Sequence, residues 1–288
     1  MNPSRPARLR ALLRDRCVLM PGAINALSAR LIERMGFDAM YLSGAVLSNS
    51  VIGVPDVGMT TLTEAVAHAT RCAAVTSIPI IADADTGFGT AAENAARTVE
   101  EYERAGLAGL HLEDQEFPKR CGHLPGKTVV PREEFCARVA AAAAARRDPD
   151  FLIIARTDAR GVTTYDDAVE RAHAYLKAGA DAIFPEALKS REEFERFAKD
   201  VPAPLLANMT EFGQTPFYSV ADFAAMGYRM VIFPVTLQRV AMKAMEQALS
   251  ELKDAGTQRG FVERMQTRQE LYDLLGYQVE LPPRPPAK

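Results

Sequence analysis

Eight short apolar runs, each followed by a longer amphipathic segment, restrict this chain to very few architectures. The runs span 17–22, 39–43, 79–84, 109–113, 151–157, 182–186, 204–208 and 230–234. They are rich in Ile, Leu and Val and lack polar alternation, as parallel strands buried on both faces do. Helical patterns follow at 25–35, 61–75, 90–105, 132–147, 164–178, 190–199, 219–226 and 236–255. Thr61 and Glu64 form a capping box at the start of one of them. Gly36, Gly106, Gly179 and Gly227 stand where helix C-termini need a left-handed residue. Parallel strands joined by right-handed crossovers predict an α/β (β/α)8 TIM-type barrel. An open doubly wound sheet is the alternative, but no G-x-G-x-x-G follows the first run.

A length of 288 residues suits one barrel domain over 1–288. Residues 1–16 read as an N-terminal helical arm carrying five arginines; a transit peptide is the other reading, and the segment does not read as a secretory signal. A helical extension over 256–280 goes beyond what a barrel needs, and the Pro-rich tail 281–288 reads as disordered. In the extension Phe261, Met265, Leu271 and Leu275 would be partly exposed on a lone barrel, which predicts helix swapping between subunits. A net charge of −3 without a basic run argues against nucleic acid as a partner. No apolar stretch approaches the ~20 residues of a membrane span. Cys17, Cys72, Cys121 and Cys136 form neither a CxxC pair nor a disulfide framework, which fits the cytoplasm.

In a barrel, chemistry sits at the C-terminal ends of the strands. Polar groups recur there: Tyr41 and Ser43, Asp83 and Asp85, Glu113 and Asp114, Arg156 and Asp158, Glu186, Asn208 and Thr210. Such regularity predicts an enzyme. Asp83 and Asp85 are two apart, so on a strand both face the same way, and paired carboxylates suit a hard cation such as Mg²⁺. The alternative is that one aspartate caps the next helix and the other is solvated. No two histidines have zinc-ligand spacing. Arg156, Arg239 and Arg268 suit bidentate binding of carboxylates, as surface ion pairs also would. The stretch 117–127 places Cys121 among Lys119, Arg120, His123 and Lys127, between prolines and glycines. Nearby cations favour the thiolate, so the stretch reads either as an active-site lid or as a basic surface loop with an incidental cysteine.

These residues come in motifs that resemble the isocitrate lyase/phosphoenolpyruvate mutase superfamily. The carriers are Tyr41-Leu42-Ser43-Gly44, Asp83-Ala84-Asp85-Thr86-Gly87-Phe88-Gly89, Lys119-Arg120-Cys121-Gly122-His123, Ala155-Arg156-Thr157-Asp158, Asn208-Met209-Thr210-Glu211-Phe212-Gly213 and Met265-Gln266-Thr267-Arg268. Lys-Arg-Cys-Gly-His together with Asp-Ala-Asp is similar to the lyases of that superfamily rather than to its mutases. The resemblance implies Mg²⁺, or Mn²⁺ in its place, held by Asp83 and Asp85 with Asp56 and Glu113 in support. It implies a substrate site made of Ser43, Gly44, Ala45, Gly122, His123, Arg156, Glu186, Asn208, Thr210, Arg239 and Arg268. It implies Cys121 as general acid, with Tyr41 the candidate base. The implied reaction is cleavage of 2-methylisocitrate to pyruvate and succinate in propionate catabolism, by a cytoplasmic homotetramer. A 2,3-dimethylmalate lyase or an oxaloacetate decarboxylase is the alternative.

Overall fold

The computed structural model describes residues 3–120 and 126–278. Its strands are β1 (Val18–Pro21), β2 (Met40–Leu42), β3 (Ile80–Asp83), β4 (Gly109–Glu113), β5 (Leu152–Thr157), β6 (Ala182–Pro185), β7 (Leu206–Asn208) and β8 (Met230–Phe233). All are parallel to their neighbours; β2 to β6 lie side by side in chain order, and β8 stands between β1 and β7. Single parallel bridges, Gly22 with Tyr41 and Ile183 with Leu205, join the two sheets at both seams. The ring thereby closes into the expected barrel. The second seam is thin for a chemical reason: Pro202 and Pro204 precede β7 and cannot donate to a ladder.

The helices are α1 (Arg5–Asp15), α2 (Ala26–Arg34), α3 (Gly44–Val46), α4 (Leu62–Ala73), α5 (Ala92–Arg104), α6 (Arg132–Ala145), α7 (Ala159–Val162), α8 (Tyr165–Lys177), α9 (Arg191–Asp200), α10 (Val220–Ala225), α11 (Thr236–Ala255) and α12 (Arg268–Leu275). The Thr61–Glu64 capping box forms at α4, and Gly36, Gly106, Gly179 and Gly227 all have positive φ. Two apolar clusters result. The larger lies between strands and helices and includes Ala69, Val99, Phe135, Tyr175 and Phe197. The smaller fills the barrel interior with Met20, Tyr41, Ile81, Ile154, Phe184, Leu206 and Ile232. Leu9 and Leu13 of α1 belong to this inner cluster, so the N-terminal arm is part of the barrel core. Arg5 and Arg10 fix α1 through the carbonyls of Ala73, Gly106 and Asp150.

The elements are a residue or two shorter than the apolar runs suggest, and α3, α7 and the π-helical turn Leu47–Ile52 are additions. Residues Met1–Gln238 form one unit and Arg239–Lys288 a second. The second holds most of α11, the 3₁₀ turn Arg259–Arg264 and α12. Phe261 is buried, against expectation, whereas Met265 and Leu275 are exposed as foreseen. The tail 281–288 lies outside the described residues.

Candidate active site

Along most strands the inward face changes from apolar to polar towards the C-terminal end. Ile81 is followed two residues later by Asp83, Ile154 by Arg156, Phe184 by Glu186 and Leu206 by Asn208. The two-residue period of a strand puts each pair on one face. Tyr41 and Ser43, and His111 and Glu113, continue the pattern on β2 and β4. A dry interior thus ends in a polar mouth.

Arg156 organises one side of it. Its Nε lies 2.9 Å from Asp158 Oδ2, its Nη1 3.3 Å from Glu113 Oε2 and its Nη2 3.5 Å from Glu186 Oε2. Its guanidinium carbon stands 5.1 Å from the Phe184 ring centroid. Burial works against the charge, but Asp158, Glu113 and Glu186 outweigh it and hold the guanidinium well above its usual range. Glu186 is fixed from behind: Asn208 Nδ2 donates to its Oε2 at 3.2 Å and the Ala187 N–H to its Oε1 at 2.8 Å.

The other side gathers carboxylates. The backbone N–H of Gly44 donates to Asp83 Oδ2 at 3.0 Å, and that of Asp85 to Asp83 Oδ1 at 3.0 Å. Lys119 Nζ lies 2.8 Å from Asp85 Oδ1 and 2.5 Å from Asp56 Oδ1. Burial opposes ionisation of Asp83, yet His111, Lys119 and Arg156 bring its carboxyl down to about 2. Burial lifts Asp85 to about 6; Lys119 opposes the rise, and Asp83 and Asp56 add to it. Burial likewise raises Glu113 well above the usual range, and its Oε1 is buried without a hydrogen bond among the described residues. The Tyr41 phenol stands 2.6 Å from His111 Nε2. Burial keeps that phenol protonated and draws His111 down to about 4.

Among the described residues no three His, Cys, Asp or Glu side chains form a ready metal cage. Clustered carboxylates with an orphaned buried oxygen nevertheless fit a hard divalent cation that keeps part of its water shell.

The structure therefore brings together Tyr41, Ser43, Gly44, Asp56, Asp83, Asp85, Glu113, Arg156, Glu186 and Asn208. Ala45 sits on α3 beside Gly44, and Thr210 two residues past β7. The Asp83–Asp85 pair converges differently from the expectation: Asp85 lies beyond the strand, at φ 45°. Cys121, Gly122 and His123 lie outside the described residues. Arg239 and Arg268 belong to the second unit, on α11 and at the start of α12. Lys119 pairs as above, and Lys127 Nζ lies 2.5 Å from Asp158 Oδ1. Asp114 points the opposite way from Glu113; it accepts from Thr157 Oγ1, the Asp158 N–H and the Tyr175 hydroxyl, a structural use of a carboxylate. The sequence marks Asp158 only as a polar strand end and Lys119 only as a cation beside Cys121, and it does not mark His111 as a site residue. His111 and Asp158 carry a signal, each two positions from a predicted site residue on the same chain segment; nothing in the sequence pairs Lys119 with Asp56 and Asp85.

A sequence profile of the phosphoenolpyruvate phosphomutase family matches residues 9–253. The chain belongs to that family. Among the relatives of this family member is 2-methylisocitrate lyase of Aeropyrum pernix, 52% identical over 93% of this chain and 86% of the relative. Probable 2-methylisocitrate lyase 1 of Corynebacterium glutamicum is 53% identical over 93% of this chain and 88% of its own length. Among solved structures, 2,3-dimethylmalate lyase, a member of the PEP mutase/isocitrate lyase superfamily, superposes with a TM-score of 0.90 at 40% identity, covering 96% of this chain and 93% of the other. Phosphonopyruvate hydrolase in complex with oxalate and Mg²⁺ does so with a TM-score of 0.85 at 33% identity, covering 95% of each.

Proposed function

We propose that the protein is a divalent-cation-dependent carbon–carbon lyase that cleaves 2-methylisocitrate to pyruvate and succinate. The observation that carries this reading is the 52% identity, over nearly the whole chain, to a lyase named for that substrate. Asp83 and Asp85, with Asp56 and Glu113, are the residues that would hold Mg²⁺ or Mn²⁺. When bound, the cation neutralises the hydroxyl and carboxylate oxygens of the substrate.

The chain's own groups supply the rest. Tyr41 takes the proton from the C2 hydroxyl as its own phenol proton passes to His111 Nε2, 2.6 Å away. The C2–C3 bond then breaks: its electron pair goes to C3, C2 becomes the keto carbon of pyruvate, and Cys121 delivers its thiol proton to C3 to complete succinate. Arg156 faces the substrate carboxylates and is kept charged by its three acidic partners. Ser43, Gly44, Ala45, Gly122, His123, Asn208 and Thr210 complete the binding site, and Arg239 and Arg268 bind the remaining carboxylate. The enzyme works as a cytoplasmic homotetramer.

The second reading is 2,3-dimethylmalate lyase, which rests on the structural match above. The two substrates differ in one carboxylate. Purified protein with Mg²⁺ is given 2-methylisocitrate, isocitrate and 2,3-dimethylmalate in parallel, with and without EDTA. Pyruvate and succinate formed fastest from 2-methylisocitrate, and lost with EDTA, are the expected result. Faster turnover of 2,3-dimethylmalate would move the substrate assignment, and no cleavage of any would end the lyase reading.

A further inference from the structure

Lys119 is a loop lysine that is almost wholly buried, with a side chain 4% exposed. Its ammonium contacts two of the four carboxylates assigned above to the cation, Asp85 and Asp56. Its place is built from both sides. Gln115 Nε2 donates to the Arg120 carbonyl at 2.9 Å, and the Arg120 N–H returns a bond to Gln115 Oε1 at 3.0 Å, which fixes the backbone beside Lys119. On the other side the Asp56 loop packs against this segment through Gly58, where an added Cβ would stand 2.9 Å from the Phe117 ring. Glu116 and Thr128 pair across the base of the loop.

On the oxygens that Lys119 contacts, Asp85 Oδ1 and Asp56 Oδ1, an ammonium and a divalent cation compete. At contact distance the two cations repel each other, while the flexible four-carbon stem of lysine lets the ammonium leave with no backbone change. We propose that Lys119 is a built-in surrogate cation, which occupies the Asp56–Asp85 carboxylates in the metal-free protein and is expelled when the divalent cation binds. The exchange keeps the buried carboxylates compensated before the metal arrives. It also frees one positive charge at the mouth at the moment an anionic substrate needs it, so metal binds before substrate. The inference rests on the metal reading given under Proposed function.

The test is calorimetric titration of Mg²⁺ into metal-free wild type, Lys119→Met and Lys119→Arg. Removing the competing charge should tighten Mg²⁺ binding at least tenfold in Lys119→Met. Lys119→Arg, which keeps the charge, should bind no tighter than wild type. If wild type binds Mg²⁺ and Lys119→Met binds it equally or more weakly, the surrogate role is wrong and the metal reading stands. If neither binds, both are wrong. A second measurement needs no variant: acylation of Lys119 in wild type, followed by peptide mass spectrometry, should be at least fivefold faster with Mg²⁺ than with EDTA. An unchanged rate would overturn the proposal.

Discussion

The hydroxyl of Tyr41 and Nε2 of His111 stand 2.6 Å apart, with the two rings stacked within 10° of parallel. Both groups are buried, and burial favours the neutral form of each: the phenol is pushed up and the imidazole down. The pair therefore rests as phenol and neutral imidazole, and Tyr41 can accept a substrate proton by passing its own to His111 Nε2. Tyr41→Phe should lower kcat by about 100-fold or more, the usual worth of a positioned acid–base group. KM should change far less. Steady-state kinetics on the preferred substrate check this, and a kcat within a few-fold of wild type would remove Tyr41 from the base role.

The stability of the metal-free protein should show two opposed acid limbs. His111 has its folded pKa drawn from 6.5 to about 4, so as pH falls from 6.5 to 4 the unfolded chain takes up the proton first and stability is lost. Asp85 has its folded pKa lifted from 3.8 to about 6, so over 6 to 3.8 the folded chain takes up the proton first and stability is gained. In wild type the two offset each other. His111→Asn removes the first limb, so its stability relative to wild type should improve by about 3 kcal/mol between pH 7 and pH 4. Urea unfolding in EDTA at the two pH values measures it; identical pH profiles for the two proteins would refute the assignment.

The barrel was legible because its strands are buried on both faces and so read as uninterrupted apolar runs, with the polar groups gathered at one end. The convergence of Asp83, Glu113, Arg156 and Glu186 follows from that reading alone, since each ends an inward face. Other parts were hidden by distance in sequence. Lys119 meets Asp56 across 63 positions, and nothing local marks that loop lysine as buried. The residues after Ser43 form α3 and a π-helical turn, although Val46, Leu47, Val51 and Ile52 have no clear helical or strand period. Asp114 was visible, but only the fold shows that it faces the helices while its neighbour Glu113 faces the mouth.

Asp114 gives a prediction of a different kind. Its carboxylate accepts hydrogen bonds of 2.7, 2.8 and 2.9 Å and lies 3.5 Å from Arg171 Nη1, all in a buried setting. Asp114→Ala should cost about 3 kcal/mol of stability, because it leaves several buried donors unpaired. It should also lower kcat, since the Asp158 backbone it anchors carries the carboxylate that orients Arg156. Calorimetry shows the first effect; an unshifted Tm would contradict the role.

Gly44 should separate activity from stability. A Cβ there would stand 2.9 Å from Asp83 Oδ2 and 3.2 Å from Asp85 Oδ1, against the carboxylates proposed to hold the cation. Gly44→Ala should therefore displace them and reduce kcat/KM by about 100-fold, the scale of an ångström-sized misplacement. Stability should hold, because alanine is the better helix former at the start of α3. Kinetics with a parallel thermal melt decide it: full activity would mean that the carboxylates tolerate the methyl group and that the close approach has no function.

The last prediction concerns α11, none of whose residues is buried. Met242, Met245, Leu249 and Leu252 recur at helical spacing and are each 42–66% exposed, an apolar stripe that a soluble helix does not keep open to water. The proposed homotetramer gives that stripe a partner of the same sequence. Charges at its centre would have to be buried unpaired in such an interface, at a cost of several kcal/mol per subunit. Met245→Glu combined with Leu249→Glu should thus convert the tetramer to smaller species, seen as a fall in molar mass by light scattering, while circular dichroism keeps its wild-type shape. An unaltered mass would place the subunit interface elsewhere on the molecule.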